Sequence, residues 1–167
     1  MTYAATVQTA NVKLIMHVAV KNDTDIVIGD IGTAYLNART KEKIWIRAGP
    51  EFGPDCEGKI YILKGALYGA KGLANAWYLE LSEHQRNQGF TRSTMDMSFW
   101  YKYEPESDLY TYLCHHVDDI LGTGSDIDDV IADMRVRFTM TGWDQLPSVY
   151  LGINIDVLPD GSGWFLS

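Results

Sequence analysis

The segment from Leu109 to Asp119 constrains the fold of this chain most, because its pattern predicts one long strand that ends in two acids. Successive side chains of a strand point to opposite faces. One face then carries Leu109, Leu113 and Val117, and the other carries Tyr110, Tyr112, Cys114, His116 and Asp118. We predict that the apolar face rests on helices and that the second face ends in a carboxylate at a hairpin tip.

The two adjacent acids at this tip are the first candidate functional residues. We expect the chain to turn at Asp118-Asp119 and to return through Ile120-Leu121. Like charges side by side are costly unless a cation or water solvates them. Hard oxygen ligands suit Mg²⁺, which is commonly held by one or two carboxylates together with substrate phosphates. A plain turn is the open alternative, since Asp is a common turn residue.

A third acid, Asp30, interrupts the β-branched run Ile26–Ile31, whose composition predicts a buried central strand. A carboxylate inside an apolar strand is expected to be paired, metal-bound or functional. Asp30 and Asp118 together could hold two divalent ions about 3.5–4 Å apart, an arrangement that stabilises both oxygens of a phosphoryl transfer. Alternatively, Asp30 lies just past the strand and caps the turn before Thr33.

The remaining patterns predict three helices and several short strands. Helices are expected over about residues 8–22 and 73–88, and from a cap at Ser125 or Asp126 to about Phe138. Further strands are expected at 98–103, in an antiparallel pair at 44–46 and 60–63, and in a hairpin of 149–157 with 163–166 around Pro159-Asp160-Gly161. Without regular strand–helix alternation, the fold class is α+β, and no repeat or linker divides the chain.

The net charge of −8 argues, as a single number, against nucleic acid as a partner. Its distribution changes that interpretation. Residues 1–77 hold nine basic and seven acidic side chains, a net of +2, whereas residues 78–167 hold five basic and fifteen acidic, a net of −10. The two halves are therefore expected to face different partners.

Composition excludes several other classes. The chain is 46% apolar and 12% aromatic, which excludes disorder, and 167 residues suffice for one domain. Cys56 and Cys114 lie far apart, so neither a disulfide framework nor a structural zinc site is indicated. No apolar run approaches the roughly 18 residues of a membrane span, and no signal peptide is evident.

Taken in order, six sequence blocks resemble the reverse transcriptase of copia-type retrotransposons. His116–Gly124 resembles the family's Y-V-D-D-I-L-I-x-G, and Gly29–Asn37 resembles D-V-K-T-A-F-L-N-G. The other similar blocks are Lys43–Ile46 with Gly49–Gly53, Leu63–Lys71 with Ala76-Trp77, Gly89-Phe90 with Asp96–Phe99, and Tyr150–Ile153. The resemblance covers nearly the whole chain.

The resemblance implies a fold and an activity. The fold is a polymerase palm with partial fingers, an antiparallel sheet backed by helices, with the thumb absent and residues 1–167 forming a fragment of the reverse transcriptase domain. Asp30, Asp118 and Asp119 are then the catalytic carboxylates. They bind two Mg²⁺ ions, or Mn²⁺, for transfer of a deoxynucleotide to a primer 3′-hydroxyl.

The resemblance also implies the residues that contact nucleotide and nucleic acid. Those expected at the deoxynucleotide are Tyr35, Lys71 and Ile31, and those expected at the primer and template are His116, Val117, Tyr68 and Gly69. Tyr35 stands where such polymerases place an aromatic that blocks a 2′-hydroxyl, with a core tyrosine as the alternative. His116 replaces the usual Tyr, and a passive strand histidine is its alternative. Lys71 either meets phosphate or is a solvated lysine.

One further departure lies at residues 72–75, Gly-Leu-Ala-Asn, where the family often has Gln-Ala-Pro-Arg. A polar contact to the nucleotide is therefore expected to be missing.

The expected partners are an RNA/DNA template-primer, deoxynucleotides and the rest of a Gag-Pol polyprotein with integrase and ribonuclease H, and no membrane. The expected location is a cytoplasmic virus-like particle and the nucleus. Two other hypotheses stay open: an inactive remnant that at most binds nucleic acid, and an unrelated divalent-ion binder that uses the acids of Asp118–Asp133.

Overall fold

The structure, a computed structural model, describes residues 6–38, 44–62, 72–145, 149–158 and 163–166. Its helices are α1 (Thr9–Asn22), α2 (Ala34–Asn37), α3 (Leu73–Asn87) and α4 (Ile127–Arg137). Its strands are β1 (Ile26–Ile31), β2 (Trp45–Arg47), β3 (Ile60–Ile62), β4 (Thr91–Arg92), β5 (Phe99–Glu104), β6 (Leu109–His116), β7 (Asp119–Thr123), β8 (Met140–Gln145), β9 (Val149–Tyr150), β10 (Ile153–Val157) and β11 (Trp164–Leu166).

A six-stranded sheet in the order β4-β5-β6-β7-β1-β8 forms the centre of the fold. Every recorded pairing in it is antiparallel. The α+β class and the antiparallel sheet are confirmed, as are α1, α3 and α4, and β1 lies inside the sheet between β7 and β8. The pair β2–β3 is also confirmed, with Ile46 opposite Tyr61.

Helices cover both faces of this sheet. On one face, α3 and α4 pack with Val27, Leu113 and Ile120 in a core that also holds Trp77 and Trp100. The other face carries a second core with α1; its buried members are Val7, Val12, Ile15, Met16, Ala19, Ile26, Phe99, Cys114, Leu121, Tyr150 and Ile155. We predicted helices for the first face, and the cover of the second face was not predicted. The second is covered because Ile26, Phe99 and Leu121 continue it as an apolar surface across β1, β5 and β7.

The hairpin between β6 and β7 turns one residue earlier than expected. β6 ends at His116 and β7 begins at Asp119, so the turn consists of Val117 and Asp118. Asp119 is therefore a strand residue, paired with His116 across the hairpin. The shift follows from register, because a two-residue loop closes an antiparallel pair and leaves the second acid in the returning strand.

Among the described residues, four elements were not predicted: α2, β4, β8 and a short 3-10 helix at Pro50–Phe52. β8 extends the sheet beyond β1, with Thr141 opposite Asp30. The predicted strand 149–157 is divided in two, since Leu151 and Gly152 have φ of 51° and 76° and form a turn between β9 and β10. The β10–β11 hairpin is confirmed by the pair Ile155 and Leu166; its predicted turn at 159–161 lies outside the described residues.

α4 begins at one of the two expected cap residues, but without the expected capping hydrogen bond. Asp126 does occupy the N-cap position, but its side chain makes no capping hydrogen bond. Its carboxylate instead accepts hydrogen bonds from Lys102 Nζ at 2.7 Å and from the Thr111 hydroxyl. Asp128 and Asp129 lie in the first turn as predicted. Within the described residues, no helix is long and apolar enough to cross a membrane.

Candidate active site

Strand pairing brings the three predicted carboxylates to one end of the central sheet. Asp30, near the end of β1, lies directly opposite Asp119 at the start of β7. Opposed residues of an antiparallel pair project from the same face with Cβ atoms about 4.5–5.5 Å apart. Asp118 occupies the adjoining turn. Asp30 is thus a strand residue beside a second acid, and the alternative in which it caps the next turn does not hold.

The pKa of Asp119 reflects its burial and the negative charges near it at this end of the sheet. Asp119 is half-buried. Burial raises the pKa of its carboxyl, the charges of Asp118 and Asp30 raise that pKa further, and His116 opposes the shift. A neighbouring like charge disfavours ionisation, so Asp118 and Asp30 each repel the charged form of Asp119, and a cation bound beside them would relieve that repulsion.

Thr141 holds one of these carboxylates. Its hydroxyl donates to Asp30 Oδ2 at 2.8 Å, and the two residues are paired between β8 and β1. Sequence reasoning missed this residue, since Met-Thr-Gly-Trp-Asp-Gln carries no clear alternation of apolar and polar positions. The contact satisfies one lone pair of Asp30 and restricts the direction of its carboxylate.

The turn before Asp119 has a strained main chain held by two hydrogen bonds. Val117 has φ of +63°, the sign found at the first central residue of a type II′ turn, where Gly is usual. A non-glycine residue there costs about 1–3 kcal/mol and persists only where its surroundings over-determine it. The Asp118 carbonyl accepts from the Ile31 amide at 2.9 Å, and the Val117 carbonyl accepts from Trp77 Nε1 at 2.6 Å.

The donor set fits Mg²⁺ in its chemistry, because all three groups are carboxylates and hard oxygen ligands suit this ion. In the part of the chain that the structure describes, however, no three His, Cys, Asp or Glu side chains come together as a group able to hold a metal ion. Any cation bound beside Asp30, Asp118 and Asp119 would therefore need water and substrate phosphate oxygens among its ligands.

The two histidines of the motif have different environments. His116 is half-buried, lies opposite Asp119 and forms an isolated bridge with Thr6. His115 is 2% exposed, and its Nε2 accepts from Trp100 Nε1 at 3.3 Å. Burial lowers the pKa of His115 to about 4, so its ring is neutral at pH 7. His115 is thus a core residue, while His116 alone borders the carboxylates.

Of the other residues predicted to contact nucleotide or nucleic acid, the structure describes Tyr35 and Ile31. Tyr35, on α2, is half-buried and packs against the core beneath α3, a position compatible with both of its interpretations. The Ile31 side chain is fully buried in the core, and its amide donates to the Asp118 carbonyl, so its contact with a nucleotide stays a prediction. Tyr68, Gly69 and Lys71 lie outside the described residues.

The acids between Asp118 and Asp133 do not form one cluster. Asp126 pairs with Lys102, and Asp133 lies 3.4 Å from His84 Nε2. Asp128 and Asp129 are exposed on α4. Because their partners lie on different elements, nothing in the described residues supports the hypothesis of an unrelated divalent-ion site formed by this stretch.

Comparison with known proteins identifies the family. The model of the family described as reverse transcriptase (RNA-dependent DNA polymerase) matches residues 1–162. The chain is similar to the retrovirus-related Pol polyproteins from transposons RE1 and RE2 of Arabidopsis thaliana, each 27% identical over 96% of this chain and 11% of the relative. It is also similar to that from transposon TNT 1-94 of Nicotiana tabacum, at 26% identity over 74% of this chain and 9% of the relative.

The chain thus spans about a tenth of the length of these curated relatives. No solved structure matches it. The resemblance that the six sequence blocks indicated is confirmed, and this chain belongs to the reverse transcriptase (RNA-dependent DNA polymerase) family.

Proposed function

We propose that this chain forms the catalytic core of an RNA-directed DNA polymerase, which adds deoxynucleotides to a primer 3′-hydroxyl at Asp30, Asp118 and Asp119. The observation that carries the proposal is the pairing of Asp30 directly opposite Asp119, with Asp118 on the adjoining turn. We assign the six-stranded sheet with α3 and α4 to the palm of such a polymerase and the β2–β3 hairpin to its fingers.

The carboxylates have two tasks in this mechanism. Asp30 and Asp118 would hold two divalent cations, and Asp119 would add negative charge beside them. Bound Mg²⁺ supplies positive charge at the attacking hydroxyl and at the departing pyrophosphate. Thr141 orients Asp30 by its 2.8 Å hydrogen bond. The main-chain bonds at Val117 and Asp118 fix the direction in which the turn presents its carboxylate.

The proposed surroundings follow from the same assignment. Tyr35 lines the nucleotide site beside the carboxylates, where its ring discriminates against a 2′-hydroxyl, and Lys71 meets phosphate. His116, Val117, Tyr68 and Gly69 border the primer and template. The relatives are Pol polyproteins by name, so we place the chain within a Gag-Pol polyprotein that also carries integrase and ribonuclease H, acting in cytoplasmic virus-like particles and in the nucleus.

A second candidate is a chain that binds nucleic acid without catalysis. The observation that favours it is the lack of charged side chains at the start of α3. Gly72 precedes the helix with φ of +80°, and Leu73 is buried, with 7% of its surface exposed. The polar side chains expected there in the family are replaced by Gly-Leu-Ala-Asn. A group that contacts the nucleotide is therefore missing.

Primer extension on poly(rA)/oligo(dT) with Mg²⁺ or Mn²⁺ tests the proposal, using the chain alone and the chain within its full reading frame. We expect divalent-dependent extension that Asp118→Asn abolishes. Asp128→Asn is the matched control, because it makes the same chemical change at an exposed position on α4 and should extend normally. Absence of extension in both forms, with salt-dependent hybrid binding retained, would establish the binding-only alternative.

A further inference from the structure

The two peptide groups that flank Asp118 are both held by hydrogen bonds from outside the turn. The carbonyl of the preceding peptide belongs to Val117 and accepts from Trp77 Nε1 at 2.6 Å. The carbonyl of the following peptide is that of Asp118 itself, and it accepts from the Ile31 amide at 2.9 Å. Because the two peptide planes that meet at a Cα set the direction of its Cα–Cβ bond, these two hydrogen bonds together fix the direction in which the Asp118 side chain leaves the main chain.

Trp77 is well placed to hold the first of these planes. It lies on α3 with 1% of its surface exposed, on the same buried stripe as Leu73 and Leu81. Its ring meets the Phe138 ring edge-on, with centroids 5.4 Å apart and an angle of 78° between planes. A buried indole N–H usually finds an acceptor, and here that acceptor is a carbonyl of the turn rather than of the core.

The conformation of Val117 explains why such a restraint is needed. A β-branched residue at φ of +63° is a genuine outlier that persists only when its surroundings over-determine it. Neither neighbour of Val117 is glycine, so the turn has no intrinsic preference for this shape. The hydrogen bond from Trp77 acts on the carbonyl of the strained residue itself.

We propose that Trp77 is a positioning residue, which aims the Asp118 carboxylate by holding the Val117–Asp118 peptide in its strained orientation. The inference rests on the proposed function for its catalytic consequence, but its structural consequence is independent of any activity. Trp77 touches neither nucleotide nor metal in this assignment, and it acts only through the main chain of the turn.

Trp77→Phe removes the indole N–H while keeping an aromatic ring. Trp100→Phe is the matched control, because Trp100 is equally buried, on the same core, and its Nε1 donates to His115 rather than to the turn. The readout is amide hydrogen exchange of the metal-free 167-residue chain, with Ile31 compared with the other amides of β1. We expect Trp77→Phe to raise the relative exchange of Ile31 about two- to tenfold, and Trp100→Phe to leave it unchanged.

Equal effects of the two variants on Ile31 would overturn the proposal, since Trp77 would then be a core residue only. If Trp77→Phe does not fold, a benzothiophene side chain at position 77, which replaces the N–H by sulfur in nearly the same shape, decides between the same two results. In primer extension, we expect Trp77→Phe to lower kcat with the KM for dTTP unchanged. Polymerase inactivity of the unaltered chain would refute the proposed function while the exchange result still decides the role of Trp77.

Discussion

Replacing Asp30 by Asn should stabilise the chain in the absence of divalent ions and at the same time destroy its proposed activity. Asp30 lies directly opposite Asp119, and its charge contributes to the raised pKa of that carboxyl. Asn removes the charge but keeps a side-chain oxygen that can accept from Thr141. The substitution therefore isolates the repulsion from the hydrogen bond.

The size of the effect follows from the geometry of the pair. Two unit charges about 5 Å apart interact by about 0.8 kcal/mol in water and about 3 kcal/mol at an effective dielectric constant of 20. Both residues are only partly buried, so solvent screening places the repulsion near the lower value. We expect Asp30→Asn to raise the free energy of unfolding by about 1 kcal/mol at pH 7, or Tm by about 2–4 °C.

The sign of the pH dependence is also fixed. The folded-state pKa of Asp119 is raised above its ordinary value of 3.8. In the interval between those two values the folded chain binds more protons than the unfolded chain, so stability falls as pH rises through that interval. The destabilisation is complete above the folded-state pKa. Asp30→Asn should weaken this fall, because it removes one of its causes.

Thermal unfolding in EDTA and in Mn²⁺ provides the assay. At 100 times its Kd, a ligand of the folded state adds about 2.7 kcal/mol to stability; we expect the unaltered chain to show this gain and Asp30→Asn to show less than half of it. Asp128→Asn serves as the control, since loss of an acid in the first turn of α4 should lower stability slightly. If Asp30→Asn is less stable than the unaltered chain in EDTA, the carboxylates do not repel one another as inferred.

Three further changes test the scaffold. Stability should fall as pH drops from 6.5 towards 4, by up to about 3 kcal/mol, because the lowered pKa of His115 keeps it neutral in the folded chain; His115→Gln should flatten this part of a pH-dependent urea titration. Gly124→Ala should cost about 1–3 kcal/mol in urea unfolding, since the added Cβ would lie 2.6 Å from Thr111 Cα. Asp96→Ala should cost about 3 kcal/mol or more and release the start of α1 in hydrogen exchange, because its buried carboxylate accepts from the Gln8 amide and from Asn11.

Local pattern was enough to predict most of the fold. The period of α1 and α3, the β-branched composition of β1 and the alternation of β6 each lie within one segment, and each predicted element is present. β8 could not be found in this way, since its sequence Met-Thr-Gly-Trp-Asp-Gln has neither alternation nor β-branched density. It forms because β7 pairs with only one edge of β1, and β8 pairs with the other. The paired residues of β1 and β8 are more than a hundred positions apart in the sequence.

The turn at Val117 shows a second limit of sequence reasoning. Alternation along β6 continues to Val117 and Asp118, so the pattern extends the strand one residue too far. Nothing in the residue itself predicts a positive φ, because valine is among the residues least suited to it. The turn closes there because register places Asp119 opposite both His116 and Asp30, which is a property of three strands together.

The carboxylates could be predicted from the sequence, whereas the residues that contact them could not. Asp30, Asp118 and Asp119 were identified because an acid within an apolar segment, or next to another acid, is unusual. Trp77 is 40 positions from Val117, and Thr141 is 111 positions from Asp30. Each reads locally as an ordinary core or turn residue. Like charges beside a strained turn destabilise the folded chain, and contacts from distant residues such as Trp77 and Thr141 offset this cost. Substitutions at Trp77 and Thr141 should therefore change activity more than their effects on stability would indicate.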